Sequence, residues 1–239
     1  MGAHIAAYGE QFIERVVEKM RQYWGADLKI IGQYNGFKAP VYPGERILWQ
    51  VTPSFKKIDS KIEIDVTGTI TREADKQEQT IKVIDITSKI GKEYSMMPQI
   101  AGPIFSSKYL LDKDHLEEFY NCVGGTNNGR VPNMLPAAYV PATLLTLLEQ
   151  KTQTMEGVNF SMNFEFLREA EPGRLQVDIF PPREPKQRQR KDKNGAPVLD
   201  STGKPIIDYI YKFQTVVSQE TKPITYGIIL SAITQEIKF

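Results

Sequence analysis

The stretch "FKAPVYPGERIL" (Phe37–Leu48) has a counterpart much later in the chain, "FLREAEPGRL" (Phe166–Leu175). Each reads Phe, five residues, Pro-Gly, then Arg and an aliphatic residue, with one extra Glu before the Arg in the first copy. The two phenylalanines lie 129 positions apart, and so do Pro43 and Pro172. Upstream of the first copy, residues 5–24 ("IAAYGEQFIERVVEKMRQYW") place Ile5, Phe12, Val16, Met20 and Trp24 near one helical face. Glu14, Arg15, Glu18, Lys19 and Arg21 fall mostly on the other face, and Gly25 is a stop signal. Upstream of the second copy, "LPAAYVPATLLTLLEQKTQ" predicts a second long helix, with Pro141 set to kink its first turn. A shift of 129 lays this helix, about 137–153, over 8–24. Helix, strand, Pro-Gly and strand therefore recur in order and spacing, the signature of an internal duplication.

Around the first phrase the pattern is strand-like. In "SKIEIDVTGTITRE", Ile62, Ile64 and Val66 alternate with Glu63, Asp65 and Thr67, a period of two with one buried face. "LKIIGQYNGF", "RILWQVTPSF" and "QTIKVIDITSKI" complete a meander, with "READKQEQ" as a hairpin loop. A connector with little periodicity follows, then a short helix in "DKDHLEEFYNCVGG" capped by Asp112 or Asp114, then the loop "TNNGRVPN". "VNFSMNFEFLRE", "RLQVDIF" and "YIYKFQTVVSQ" read as strands. The sequence thus divides into an N-terminal half over 1–95, a linker over 96–107 and a C-terminal half over 108–239. The second half carries a Pro-, Lys- and Arg-rich insertion at about 181–208, read as a solvated hairpin extension.

Bulk properties bound the function. Thirty basic and 29 acidic residues nearly cancel in 239, so no global field points to nucleic acid or an anionic membrane. The insertion could neutralise phosphates but has no aromatic residue for base stacking, which argues against nucleic acid as a partner. One cysteine, Cys122, excludes an intrachain disulfide and fits a reducing, cytoplasmic setting. No apolar run approaches the ~20 residues of a membrane span. Neither a cofactor nor a metal is read from the residues.

A long helix against an antiparallel sheet, twice over, predicts an α+β double hot-dog, with two long helices each wrapped by an antiparallel sheet. Residues 2 to about 89 resemble the hot-dog dehydratases of β-hydroxyacyl thioesters. The likeness lies in Gly2, the helix to Trp24-Gly25, Phe37 and "PVYPGERI". Residues 108–180 resemble the related MaoC-type hydratases, in the short helix before the active loop and in the "FEFLREAEPGRLQVDI" strand entry. The resemblance implies acyl-thioester chemistry of fatty-acid or polyketide metabolism. It also implies acyl-ACP or acyl-CoA substrates and a homodimer or an association with a synthase. If the chain turns over, it would be a hydro-lyase; a non-catalytic acyl-binding or scaffolding module is the alternative.

In that family a histidine acts as base, a carboxylate assists the departing hydroxyl, and backbone N–H groups at a helix N-terminus polarise the carbonyl. The candidates that resemblance brings out here are His115, Glu10 and Asn127 as catalytic groups. Gln11, Gly125, Asn128 and Tyr139 are the substrate-binding candidates. The matched positions themselves are depleted: Ala7 stands in the carboxylate place of the first helix, Gly125 where the loop pattern has Asp, and Arg130 where it has His. His4 matches no catalytic position.

Overall fold

The computed structural model describes every residue except 1, 25–26, 59–60, 75–76, 124–128, 153–156 and 193–194. Within helices and strands only the backbone is described at 2–4, 24, 53–58, 61, 74, 123 and 157–160. Helix α1 (Gly2–Trp24) is followed by strands β1 (Lys29–Phe37), β2 (Leu48–Ile58), β3 (Lys61–Ala74) and β4 (Gln77–Gly91). Strand β5 (Phe105–Leu111) and helix α2 (Lys113–Val123) lead to α3 (Met134–Ala137) and α4 (Val140–Lys151). Strands β6 (Gly157–Phe166), β7 (Gly173–Ile179), β8 (Lys186–Gln189), β9 (Ile207–Gln219) and β10 (Lys222–Ile233) complete the chain.

All ten strands join one sheet in the order β2-β3-β4-β1-β6-β10-β9-β7-β5, with β8 also on β9. Every named ladder in it is antiparallel. The order β2-β3-β4-β1 is mirrored by β7-β9-β10-β6, so the two halves meet edge to edge at β1 and β6. In that ladder Tyr34 lies opposite Asn163. These two positions differ by 129, the offset of the repeated phrase, so a local twofold passes between them. The duplication read from Pro-Gly is thus a structural one, and the architecture is the α+β double hot-dog.

The second rod is broken where proline predicts. Helix α3 ends at Ala137 and α4 starts at Val140, with Pro141 in its first turn. Pro141 has no N–H to give and fits the first turn of a helix, so the rod restarts there. The first rod is continuous, but its buried face is Ala6, Ala7, Gly9, Glu10, Ile13, Val17 and Met20, not the Ile5–Phe12–Val16 stripe. Small residues decide this. A Cβ on Gly9 would collide with Ile86 and sit 3.1 Å from the Trp49 ring. The helix therefore lies closest to the sheet along its smallest residues, and Phe12 flanks Trp49 with ring centroids 5.7 Å apart.

The repeated phrases close differently. In the first, Glu45 N–H donates to the Tyr42 carbonyl and Gly44 has φ +89°, a turn that favours glycine. Arg72 holds this turn, donating to the Pro40 carbonyl at 2.7 Å and to Glu45 Oε2 at 2.9 Å. In the second, Gly173 opens β7, and Gln219 clamps the backbone of Glu171 at both N–H and C=O. Phe166 is fully buried, whereas Phe37 is half-buried. The segment expected as a loop, "READKQEQ", is mostly strand, for β3 and β4 pair out to Ala74 opposite Gln77.

In the second half Gly227 of β10 faces Phe164 of β6. A Cβ there would overlap the Phe164 ring and come within 2.8 Å of Thr215 Oγ1. Gly227→Ala is therefore expected to cost about 1–3 kcal/mol by overpacking. Urea denaturation would show this as a lower midpoint at unchanged slope.

Candidate functional site

Glu10 is fully buried at the crossing of α1 and α3. Its Oε1 accepts the N–H of Asn133 at 3.1 Å and its Oε2 that of Met134 at 2.8 Å. One rod's carboxylate thus caps the start of the other rod and satisfies donors that have no partner within the helix. Burial, reinforced by the neighbouring charge of Glu14, pushes its pKa up to about 8, against the pull of the Met134 and Asn133 hydrogen bonds. At neutral pH the group is largely protonated.

Beneath α1 lies a second set of buried polar groups. Gln33 Nε2 donates to Asn35 Oδ1 at 2.7 Å and to the Ala6 carbonyl at 3.3 Å. Ser88 donates to Gln33 Oε1 at 3.3 Å, and Asn35 Nδ2 reaches Met134 Sδ at 3.9 Å. Met134 therefore joins this network to Glu10. The ladders place Gln33 opposite Ser88 in the first half and Met162 opposite Ile229 in the second. The offset of 129 sets Asn35 against Phe164. A polar trio in one half thus faces an apolar trio at equivalent positions of the other.

Above this network, Arg130 Nη1 lies 3.5 Å from Glu14 Oε2, and Arg130 Nη2 lies 3.8 Å from Glu169. Arg21 reaches the same Glu14 oxygen at 3.9 Å. Burial raises the Glu14 pKa against the pull of Arg130 and Arg21. Tyr120 donates to the Arg130 carbonyl at 2.9 Å, and Tyr94 donates to Glu169. A guanidinium cannot act as a base in a protein; Arg130 pairs charge with Glu14 and Glu169.

The residues singled out in the sequence come to rest in separate places. Asn127, Asn128 and Gly125 lie outside the described residues. Gln11 is half-buried on the flank of α1. His115 is exposed on α2, where Asp112 caps the helix through the His115 N–H at 2.9 Å and meets the ring Nδ1 at 2.7 Å. Of the two caps expected, Asp112 is therefore the one made. Tyr139 sits between α3 and α4 against Tyr109, with centroids 4.7 Å apart; burial and then Asp112 raise its pKa. Glu10 and His115 thus belong to different clusters: Glu10 to the rod crossing, His115 to the exposed cap of α2. An open depression of about 460 Å³ on α2 is lined by Asp114, Glu117, Glu118, Asn121 and Cys122. Among the described residues, no group of three or more His, Cys, Asp or Glu could hold a metal ion. Nor is any helix among them long and apolar enough to cross a membrane.

No family model matches the chain, and no curated protein matches it in sequence. Solved structures do match in shape. A MaoC-like dehydratase from Phytophthora capsici aligns with a TM-score of 0.51 at 13% identity, over 88% of this chain and 72% of that one. A Lactobacillus plantarum protein, provisionally named an oleoyl thioesterase, gives 0.51 at 11% identity, over 91% and 80%. The peroxisomal multifunctional enzyme type 2 of Drosophila melanogaster gives 0.53 at 12% identity over 91% of this chain, which spans 40% of that longer enzyme. At these identities the likeness is one of fold, and it agrees with the strand order and the twofold: this chain is a double hot-dog protein.

Proposed function

We propose that the chain binds acyl thioesters of fatty-acid or polyketide metabolism and holds them without dehydrating them. The observation that carries this reading is the asymmetry of equivalent core positions. Gln33, Asn35 and Ser88 in one half correspond to Met162, Phe164 and Ile229 in the other. A thioester has a polar carbonyl head and an apolar tail, and a polar half joined to an apolar half suits both. The names of the structural neighbours, a dehydratase and a provisional thioesterase, support the substrate class. Three side-chain placements support an absence of turnover. Arg130 stands in the base's place, His115 is on an exposed helix, and both Glu10 oxygens are engaged by backbone N–H groups.

A second reading, a hydratase or dehydratase, is favoured by one observation. Glu10, with its pKa raised to about 8, has the value a general acid needs near neutral pH. Calorimetric binding and a turnover assay with crotonyl and 3-hydroxyacyl thioesters separate the two. The expected result is saturable binding, no turnover above background, and no change on His115→Ala. Turnover abolished by His115→Ala would reject the binding reading. Turnover that survives His115→Ala but falls at least about 100-fold in Glu10→Gln would establish the second reading with Glu10 as the acid.

A further inference from the structure

We propose that the inserted meander of residues 181–208 is the docking surface for a small acidic carrier protein that presents the acyl group, an inference that rests on the thioester reading above. The segment holds seven basic and four acidic residues, a net +3 within a chain whose total is +1. Its described residues extend the sheet. Strand β8 pairs with the start of β9, Lys186 opposite Ile210 and Arg188 opposite Asp208. A further strand-like pass is bonded from Val198 N–H to the Arg190 carbonyl and from Ile206 N–H to the Val198 carbonyl. Both tips are closed by glycines at positive φ, Gly195 and Gly203.

Alternation along β8 and β9 sets Lys186, Arg188, Arg190 and Lys212 on one side of the sheet. Lys212 is exposed between the buried Tyr211 and Phe213, so that side is the outer face. Buried Asp208 holds the two arginines in place: Arg190 Nη2 lies 2.7 Å from Oδ1, and Arg188 Nη2 lies 3.7 Å from Oδ2. The result is a row of four cations around one carboxylate, two of them held by it. The ladders carry the Asn35 level through Met162 and Ile229 to Phe213, three residues from Ile210, where β8 begins to pair. Asn35 is thus the nearest of the trio to the row, about 10 Å away along the strands; the Gln33–Ser88 level runs through Phe164 and Gly227 to Thr215, two residues further, and β9 lies three strands from β1.

The chemistry favours a protein over a nucleic acid. The segment contains no aromatic residue on which a base could stack. A cationic face of this size is enough to steer and orient an acidic protein surface.

The test uses the full chain and fluorescence anisotropy at low and moderate salt. Three probes are compared: an acyl-loaded carrier protein, the same acyl group on coenzyme A, and a 20-nucleotide single-stranded RNA. The variant is Lys186→Glu/Lys204→Glu/Lys212→Glu, three exposed positions that leave the Arg–Asp208 cluster intact. The expected result is carrier binding that weakens with salt and falls at least tenfold in the variant, while coenzyme A thioester binding is unchanged. Equal carrier affinity in both proteins, or coenzyme A thioester binding with no carrier binding, overturns the docking surface and leaves the thioester reading standing. RNA bound as tightly as the carrier overturns it in favour of a nucleic-acid surface. Binding of neither thioester overturns both readings together.

Discussion

Glu10→Ala is expected to lose about 2–5 kcal/mol of folding stability, because it strands two buried N–H groups at about 1–3 kcal/mol each. Those donors, on Asn133 and Met134, open α3, and Glu10 is their shared acceptor from the opposite rod. In a chain of this size each kcal/mol moves the midpoint by about 2–4 °C, so thermal denaturation should register a fall of roughly 10 °C. Glu10→Gln keeps the shape but offers one acceptor oxygen and turns an NH₂ toward the other donor. Its loss should be smaller, about 1–3 kcal/mol. The carboxyl also makes stability depend on pH. Its pKa rises on folding from an ordinary 4.5 to about 8, first through burial and then through Glu14. The folded chain thus holds the proton more tightly than the unfolded chain does. The resulting stabilisation is fully present below about pH 4.5 and is lost as pH rises to about 8, by up to roughly 5 kcal/mol. Other carboxylates act in the opposite sense, as Glu45 does with its pKa lowered to about 2 by Arg72. The informative quantity is therefore the stability difference between wild type and Glu10→Gln by urea denaturation from pH 5 to 8.5. It should shift steadily against wild type as pH rises; a difference that stays constant would remove Glu10 as the titrating group.

The repeat, most of the strands and the break in the second rod were legible because each leaves a local mark; β5, which falls in the stretch read as a connector, and β10 were not read. Pro-Gly marks a reversal, alternation marks a half-buried strand, and Pro141 marks where a helix must restart. The buried face of α1 was not legible from its large side chains. Ala6, Ala7 and Gly9 bring the backbone close to the sheet, and close approach depends on small volume rather than hydrophobicity. Glu10 was visible as a carboxyl near the position that the resemblance gives a carboxylate, but its burial was hidden. Its partners are backbone N–H groups 123 and 124 residues away, which carry no side-chain signature. Gln33 and Asn35 were read only as part of a strand; two polar residues two apart on the inward face were the available signal. Glu14 was set with the exposed face because its partner Arg130 comes from the far side of the chain. Strand β8 escaped because "KQRQ" is exposed at all four positions, so alternation has no burial to report.

Replacing Gln33 alone by Met should cost about 2–4 kcal/mol, whereas replacing the whole trio as Gln33→Met/Asn35→Leu/Ser88→Ile should cost less than that single change. Gln33 is the hub of the network, accepting from Ser88 and donating to Asn35 and the Ala6 carbonyl. Removing it leaves buried polar atoms on Asn35 and Ser88 unpaired, each carrying its desolvation cost of about 1–3 kcal/mol. Removing all three together leaves no orphaned side chain, and the second half shows that this fold accepts apolar residues at the same positions. Residues in one network are coupled, so the sum of the three single changes should exceed the triple by several kcal/mol in a denaturation series. Function should move the other way. If the trio receives the thioester head, the triple variant stays folded yet binds acyl thioesters at least tenfold more weakly, because a polar carbonyl then meets apolar side chains without a hydrogen-bond partner. A folded triple variant with wild-type thioester affinity would assign the network to fold specificity alone and detach the polar half from the substrate.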